Sequence, residues 1–218
     1  MCVDNKLHII EVDSISKGYG MQQVLSGVYL KIQTGDICAL FGRNGTGKTT
    51  LMRIIFGSLQ ADYKFIRIDG QIMKTPYTKP EYISYLPAGS FIPSGLKVKQ
   101  VLSLYNIQAE PDDIIRKFYN RRISTMSSGE RRYLEVYLIL KKKAHFVLLD
   151  EPFKFLSPLM IDHIEELIRQ ASEDKGLVVA DHRYHNVLNI ANRILLIKDH
   201  SLYQLNSEEE LITKGYII

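Results

Sequence analysis

The sequence predicts an α/β fold in which an antiparallel β region precedes a mostly parallel sheet that carries a helical insertion. Alternating apolar residues at Val28, Leu30 and Ile32 are typical of a strand with one wet face. Three short runs are apolar throughout, as in parallel strands covered on both faces: 37–41, 146–149 and 177–180. Between residues 96 and 143 the apolar spacing becomes helical.

The remaining elements follow from the same patterns in chain order. Strands are expected at 7–12, 28–32 and 65–70, and a hairpin at 194–205. Helices are expected at 51–56, 98–105, from 111, 127–143, 161–171 and 208–215. The helix from 127 has the S-x-x-E pattern of a capping box at Ser127 and Glu130. No internal repeat, low-complexity linker or coiled-coil heptad run interrupts this order.

Composition narrows the classes of partner. The net charge of +4 is spread along the chain, so no nucleic-acid partner is expected. The basic pairs and runs at 131–132 and 141–143 are predicted to be solvated helix ends. Two cysteines, Cys2 and Cys38, do not make a disulfide framework, and a reducing compartment fits best. We see neither a signal peptide nor an apolar run of about 18 residues that would span a membrane.

Each of the three apolar runs leads directly into polar residues. Gly42 follows the first run, Asp150 and Glu151 follow the second, and Asp181 and His182 follow the third. Ligands of open α/β sheets lie beyond the carboxyl ends of the strands. We therefore expect one shared site at this edge.

The segment after the first run fits G-x-x-x-x-G-K-[ST], the phosphate-binding P-loop, between a buried strand and a helix. Its glycines let backbone N–H groups surround phosphate oxygens, Lys48 would reach the β- and γ-phosphates, and Thr49 would bind Mg²⁺. The alternative is an ordinary Gly-rich turn before a helix. The predicted nucleotide-binding residues here are Gly42, Asn44, Gly45, Gly47, Lys48, Thr49 and Thr50.

The second run ends in the Walker B arrangement, four apolar residues followed by an aspartate. Asp150 would hold Mg²⁺ through water, and Glu151 lies where a base could polarise an attacking water. A strand that ends in a solvated acidic turn is the alternative. The two motifs together predict a phosphate-containing ligand bound with Mg²⁺.

At this point the chain resembles the ABC-type ATPases, the nucleotide-binding subunits of ATP-binding-cassette transporters. Tyr19 matches the aromatic that stacks on adenine, and the loop 83–98 matches the loop that touches the membrane partner. The segment 126–130, MSSGE, matches the family signature, usually LSGGQ, and His182 matches the switch histidine. The single P-loop and the DH context look most like small importer-type and lipopolysaccharide-export-type subunits.

The resemblance implies a P-loop NTPase fold with a RecA-like core, an N-terminal antiparallel β subdomain and a helical signature subdomain. One ABC ATPase domain would span 1–218, with the core at 1–87 and 144–218 and the helical subdomain at 88–143. It also implies that the chain hydrolyses Mg-ATP with Glu151 and His182 in catalytic roles. The protein would lie in the cytoplasm, held at the inner face of the membrane by a permease on a separate chain.

In this family two subunits close head to tail over two ATP molecules, as a homodimer or with a second ABC ATPase. Ser127, Gly129 and Glu130 would then approach a phosphate held by the other subunit. A capping box alone is the alternative, and it accounts for Ser127 and Glu130 but not for Gly129.

Three positions depart from the family pattern. Ala88 replaces a glutamine that binds Mg²⁺ and orients water, Ser157 replaces an aspartate that links the two sites, and Ser128 replaces a glycine. Loss of one oriented ligand in a metal site often costs about 10- to 100-fold in affinity or activity. We therefore predict Mg-ATP binding with slow or partner-dependent hydrolysis.

Two other functions remain open from the sequence: a soluble ABC ATPase outside transport, and a catalytically weak ATP-binding regulatory subunit. A membrane permease as the stable partner would support the transport function. The groove for such a permease would be lined by Phe91, Ile92, Pro93 and Leu96, or these residues would simply pack in the core.

Overall fold

The computed structural model describes residues 7–107 and 112–216. Cys2 and the predicted start of a helix at residue 111 lie outside the described residues. Within them the chain forms two sheets, with helices packed against the larger one. The predicted α/β class is confirmed, while the predicted boundary of the helical subdomain at 88–143 stays a prediction.

The smaller sheet is antiparallel and has the strand order β2-β1-β4-β5. Its strands are β1 (Ile9–Tyr19), β2 (Gln22–Gln33), β4 (Tyr63–Ile68) and β5 (Gln71–Ile72). In β2 the side chains of Val28, Leu30 and Ile32 are buried while those between them are exposed, as the alternation predicted.

The larger sheet has the order β10-β9-β3-β8-β7-β6, and every pairing is parallel except that of β10 with β9. Its strands are β3 (Ile37–Phe41), β6 (Ile83–Leu86), β7 (Phe146–Asp150), β8 (Gly176–Ala180), β9 (Arg193–Lys198) and β10 (Ser201–Leu205). All residues of β3, β7 and β8 are buried, which confirms the three predicted buried strands. The antiparallel pairing of β9 with β10 confirms the C-terminal hairpin. The short strand β6 was not predicted.

The helices begin largely where the sequence indicates. They are α1 (Lys48–Phe56), α2 (Val98–Leu104), α3 (Asp113–Phe118), α4 (Ser128–Lys141), α5 (Pro158–Ser172), α6 (Tyr184–Ile190) and α7 (Glu209–Thr213), with single 3₁₀ turns at Pro76–Thr78 and Ile123–Thr125. Ser127 is the N-cap of α4, and the reciprocal bonds of the capping box are present. The helix α6 was not predicted.

The larger sheet separates two hydrophobic clusters. Cys38 and Leu40 of β3 belong to the cluster that contains α1 and the antiparallel sheet, whereas Ala39 and Phe41 belong to the cluster that contains α2 to α5. Successive residues of a strand point to opposite faces, so one strand contributes to both clusters. This double covering holds the carboxyl ends of β3, β7 and β8 in fixed positions beside one another.

The predicted permease groove is partly core. Ile92 is buried in the cluster around α2 to α5, Phe91 and Leu96 are half-buried against that cluster, and Pro93 is exposed. The Phe91 and Tyr105 rings lie 6.4 Å apart. Within residues 7–107 and 112–216, no helix is long and apolar enough to cross a membrane.

One prediction about charge is wrong. Arg132 was expected at a solvated helix end, but it lies in the first turns of α4 and is only 3% exposed. The run 141–143, at the other end of α4, is mostly exposed as predicted. Arg132 is buried because carbonyl and carboxylate oxygens from distant parts of the chain surround its guanidinium, as described below.

Candidate functional site

A cavity of about 560 Å³ lies at the carboxyl edge of β3, β7 and β8. Most of the predicted site residues line it, and the structure therefore brings the polar ends of the three strands together. The lining residues are Tyr19, Gln22, Val24, Asn44, Gly45, Gly47, Lys48, Thr49, Thr50, Asp150, Glu151, Ala180, Asp181 and His182. Gly42, Ser127, Gly129 and Glu130, also predicted, do not line it. Gln22 was not singled out by sequence reasoning, whereas Asp181 was expected at this edge only as one of the polar residues that follow the third apolar run.

The loop from Gly42 to Gly47 turns tightly before α1. Gly47 is the N-cap of α1 with a φ of 107°, a conformation that side chains rarely adopt. A Cβ atom there would also lie 2.9 Å from Cγ1 of Val24. Nζ of Lys48 folds back over the loop and donates to the carbonyls of Gly42 at 2.5 Å and Arg43 at 3.2 Å. Burial lowers the pKa of Lys48, although the carboxylates of Asp150 and Glu151 oppose this effect.

Thr49 and Asp150 form an oxygen-rich corner of the cavity. The Thr49 hydroxyl donates to Oδ2 of Asp150 at 2.8 Å, and the Tyr85 hydroxyl approaches the same oxygen at 3.3 Å. Burial raises the pKa of Asp150 even though both hydroxyls donate hydrogen bonds to it. A carboxylate that is 3% exposed and beside a hydroxyl is a suitable ligand pair for a hard cation such as Mg²⁺.

Glu151 has an unusual backbone and two charged neighbours. Its φ is 54°, in the left-handed region, which costs a non-glycine residue on the order of 1–3 kcal/mol. Oε2 lies 2.6 Å from Nζ of Lys154, and Oε1 lies 3.4 Å from Nε2 of His182. Burial by itself would raise the pKa of Glu151, but the hydrogen bond from Lys154 and the charges of Lys154, His182 and Arg132 together outweigh burial, so the pKa is below its ordinary value.

Tyr19 lies at the rim of the cavity. Its side chain is exposed, and Nζ of Lys17 lies 5.1 Å from the centre of its ring. Gln22, the first residue of β2, lines the same rim. An exposed aromatic face beside a phosphate-binding loop can stack on a planar base.

The signature segment lies apart from this cavity, at the start of α4. The Ser127 hydroxyl accepts from the Glu130 N–H at 3.2 Å, and the Ser127 N–H donates to the Glu130 carboxylate at 2.8 Å. Nη1 of Arg121 adds an ion pair to Glu130 at 2.7 Å. Burial by itself would raise the pKa of Glu130, but these two partners leave it lowered. The capping box is thus satisfied within the chain.

Gly129 is tightly packed against another part of the same chain. Sequence reasoning missed this reason for a glycine at the position. A Cβ atom at Gly129 would lie 2.6 Å from the carbonyl oxygen of Phe155, closer than real Cβ contacts come. Phe155 itself has a φ of 64° and an exposed side chain. The loop after β7 therefore lies directly on the first turn of α4, and only glycine fits between them.

We predict that Gly129→Ala destabilises the fold by about 1–2 kcal/mol, measured by urea denaturation. Overpacking costs about 1–3 kcal/mol, and the better helix propensity of alanine offsets up to about 1 kcal/mol of it. Gly95→Ala is the control, because a Cβ at Gly95 would meet nothing within 4 Å. Equal stability of the two variants would show that the Phe155 carbonyl does not restrict this position.

The structure gives Ala88 and Ser157, two of the positions that depart from the family pattern, distinct surroundings. Ala88 lines a smaller cavity of about 110 Å³ together with Ser90, Ser128 and Lys154. The Ser90 hydroxyl donates to the carboxylate of Glu135. Ser157 is the N-cap of α5, where its hydroxyl accepts from the Met160 N–H. Serine followed by proline is a helix-start signal, and it could have identified this cap.

Asp181 orders the loops around the site. Its Oδ2 accepts from the Phe153 N–H at 2.8 Å and its Oδ1 from the Arg183 N–H at 2.9 Å. Asp181 is 5% exposed, so these bonds replace the water that its carboxylate has lost. It thereby ties the loop after β7 to the turn that carries His182.

Comparison with known proteins agrees with this geometry. The chain matches the family model described as ABC transporter over residues 25–154. It is 28% identical to the high-affinity branched-chain amino acid transport ATP-binding protein BraG of Pseudomonas aeruginosa, over 94% of this chain and 95% of that protein. It is 25% identical to the lipopolysaccharide export system ATP-binding protein LptB of Haemophilus influenzae, over 94% and 93%.

Solved structures show the same fold. One, described as the structure of the ATP binding subunit of an ABC transporter, superposes with a TM-score of 0.82 at 20% identity, over 95% of this chain and 93% of that one. A bacterial Atm1-family ABC exporter with ATP bound superposes with a TM-score of 0.81 at 18% identity, over 96% of this chain and 41% of that one. Because the family model covers more than half of the sequence, the chain belongs to the ABC transporter family and is an ATPase coupled to transport.

Proposed function

We propose that the chain binds Mg-ATP in the 560 Å³ cavity and hydrolyses it to power a membrane permease. The observation that carries this proposal is the meeting of a P-loop lysine, a buried aspartate and a glutamate–histidine pair at one sheet edge. Lys48 would exchange its bonds to loop carbonyls for phosphate oxygens. Tyr19 would stack on the adenine ring at the rim.

Mg²⁺ fits the donors at Thr49 and Asp150. Across the described part of the chain, no three His, Cys, Asp or Glu side chains come together as a metal site. Two protein donors, the Thr49 hydroxyl and the Asp150 carboxylate, suit Mg²⁺, which keeps several waters and takes its other ligands from phosphates. Bound with ATP, the ion would neutralise charge that develops on the β- and γ-phosphates.

Glu151 would act as the base that accepts a proton from the attacking water. Both carboxylate oxygens contact cationic or imidazole groups, Lys154 at 2.6 Å and His182 at 3.4 Å. These two contacts occupy about half of the four lone-pair sites of the carboxylate, so they compete with a water for the remaining directions. These contacts of Glu151, together with the absence of a ligand at Ala88, support slow or partner-dependent turnover.

A second ABC ATPase subunit would complete the site, in a homodimer or a heterodimer. Ser127, Gly129 and Glu130 lie outside the nucleotide cavity of their own chain. The free N–H groups in the first turn of α4, a helix of 14 residues, can bind a phosphate oxygen brought by another subunit.

We place the chain in the cytoplasm at the inner face of the membrane, bound to a permease on a separate chain near residues 86–105. BraG and LptB are named as ATP-binding proteins of transport and export systems, which favours transport over a soluble function. Affinity purification of the tagged full chain from detergent-solubilised membranes tests this. A multi-span membrane protein at a stoichiometric level is expected, and its absence would contradict the proposed partner.

Restoring a ligand at position 88 tests the slow-turnover proposal. We expect Ala88→Gln to raise kcat about 10-fold, since one oriented ligand in a metal site is worth about 10- to 100-fold. The cavity beside Ala88 offers space for the longer side chain. The control is Ala88→Leu, which fills the same space without a donor or acceptor. If both variants have the wild-type kcat, Ala88 does not limit turnover.

A further inference from the structure

Arg132 is a buried cation that binds the ends of two neighbouring strands. Its Nη1 donates to the carbonyl of Pro87 at 2.9 Å, and its Nη2 donates to the carbonyl of Glu151 at 3.0 Å and to that of Asp150. Nε also approaches the Glu151 carbonyl at 3.2 Å. Pro87 follows β6 and Asp150 ends β7, so one guanidinium joins both strand ends to α4.

The partner of Arg132 is Glu135, one turn further along α4. Nη1 of Arg132 lies 3.2 Å from Oε2 of Glu135, and Glu135 is 1% exposed. Oε1 of Glu135 accepts from the Ser90 hydroxyl and from the Phe91 N–H at 3.3 Å. The ion pair therefore connects the loop 87–91 with the carbonyl groups around Glu151.

A buried ion pair is weak evidence of stabilisation, because both charges lose their hydration. A specific arrangement of the backbone is a better explanation, since the planar fork of arginine fixes acceptors in direction as well as distance. Glu151 needs such a restraint because its φ of 54° persists only where the surroundings impose it. The Glu151 N–H donates to the Ala180 carbonyl at 2.7 Å, and Arg132 holds the carbonyl of the same residue.

We propose that Arg132 is a positioning residue for hydrolysis: it sets the left-handed backbone of Glu151, and through Glu135 it fixes the loop 87–91. This inference rests on the proposed function of Glu151. In this chain position 88 is alanine, so no side chain there can attach the loop to the metal or the water. The Arg132–Glu135 pair supplies the attachment through the protein instead.

Arg132→Lys is the first test, because lysine keeps the charge and loses the fork. We expect kcat to fall about 10- to 100-fold, while the dissociation constant for Mg-ATP changes less than about threefold. The effect on kcat is expected to exceed the effect on the dissociation constant because Arg132 does not line the nucleotide cavity. An equal change in both constants, or no change in kcat, would overturn the proposal.

Arg193→Lys is the matched control. Arg193 also pairs with an acid, Asp36 at 2.6 Å, and donates to a carbonyl, that of Lys31 at 2.7 Å, but it lies on β9, which β3 and β8 separate from β7 in the larger sheet. We expect kcat per folded molecule to stay at the wild-type value. An equal loss of kcat in both arginine variants would mean that Arg132 has only a structural role.

Amide hydrogen exchange gives a readout that does not need turnover. Peptides covering 87–91 and 150–153 should exchange faster in Arg132→Lys than in the wild type or Arg193→Lys. If Arg132→Lys does not fold, Glu135→Gln, which keeps the shape and loses the charge, should raise exchange at 87–91. Unchanged exchange would overturn the proposal. If the wild type has no ATPase activity but Arg132→Lys still exchanges faster than the wild type at these peptides, the result contradicts the proposed function and leaves the positioning role of Arg132 supported.

Discussion

Glu151→Gln is expected to lower kcat by about 10²- to 10⁴-fold while ATP still binds. The amide keeps the size of the side chain but cannot accept a proton from water, and general base catalysis is worth about that factor. The amide also loses the ion pair with Lys154 at 2.6 Å. Phosphate release under saturating Mg-ATP measures kcat, and equilibrium titration with a fluorescent ATP analogue measures binding.

Glu166→Gln is the control for this substitution. Glu166 is an exposed glutamate on α5 whose Oε1 accepts from Gln170 at 2.9 Å, and it does not line the nucleotide cavity. We expect its kcat to equal that of the wild type. A Glu151→Gln protein that turns over at the wild-type rate would remove Glu151 from the proposed catalytic role.

Lys48→Ala is expected to weaken ATP binding about 10- to 100-fold. A hydrogen bond to a charged group contributes about 1.5–3 kcal/mol, and about 1.4 kcal/mol corresponds to a factor of ten in affinity. Lys48 already lies within the loop, where its ammonium donates to the Gly42 and Arg43 carbonyls. The same equilibrium titration measures the loss.

Lys175→Ala separates loss of affinity from loss of stability. Lys175 is also a buried ammonium bonded to a carbonyl, that of Leu140 at 2.6 Å, but it lies outside the nucleotide cavity. We expect it to lower the unfolding free energy without changing the dissociation constant of ATP. If Lys48→Ala binds ATP as tightly as Lys175→Ala, the nucleotide does not occupy the P-loop as proposed.

Much of the fold was predictable because its signals are local. The buried strands β3, β7 and β8 are continuous apolar runs, and the start of α4 is a capping box between Ser127 and Glu130. These signals involve residues within a few positions of one another. By contrast, β6 was missed: Ser84 interrupts its short apolar run, and its burial depends on its sheet neighbour β7 and on the helices α1 and α4 that contact it.

Two predictions about residues near the site needed the tertiary structure. Gly129 was assigned to the approach of a phosphate, and the structure adds the Phe155 carbonyl, which would lie 2.6 Å from a Cβ. Ser157 was interpreted only as a missing aspartate, and the structure shows that it caps α5. In both cases the family pattern drew attention to the position, but the neighbouring atoms explain the residue.

The sequence by itself determined the P-loop, the Walker B strand and the histidine after β8, because each motif is contiguous and follows a buried strand that aims it at one edge. Only the tertiary structure decided where Arg132 lies. Its guanidinium bonds to the carbonyls of Pro87, Asp150 and Glu151, which are 45, 18 and 19 residues away. A charged residue is buried only when distant groups replace its water, and helical spacing contains no information about those groups.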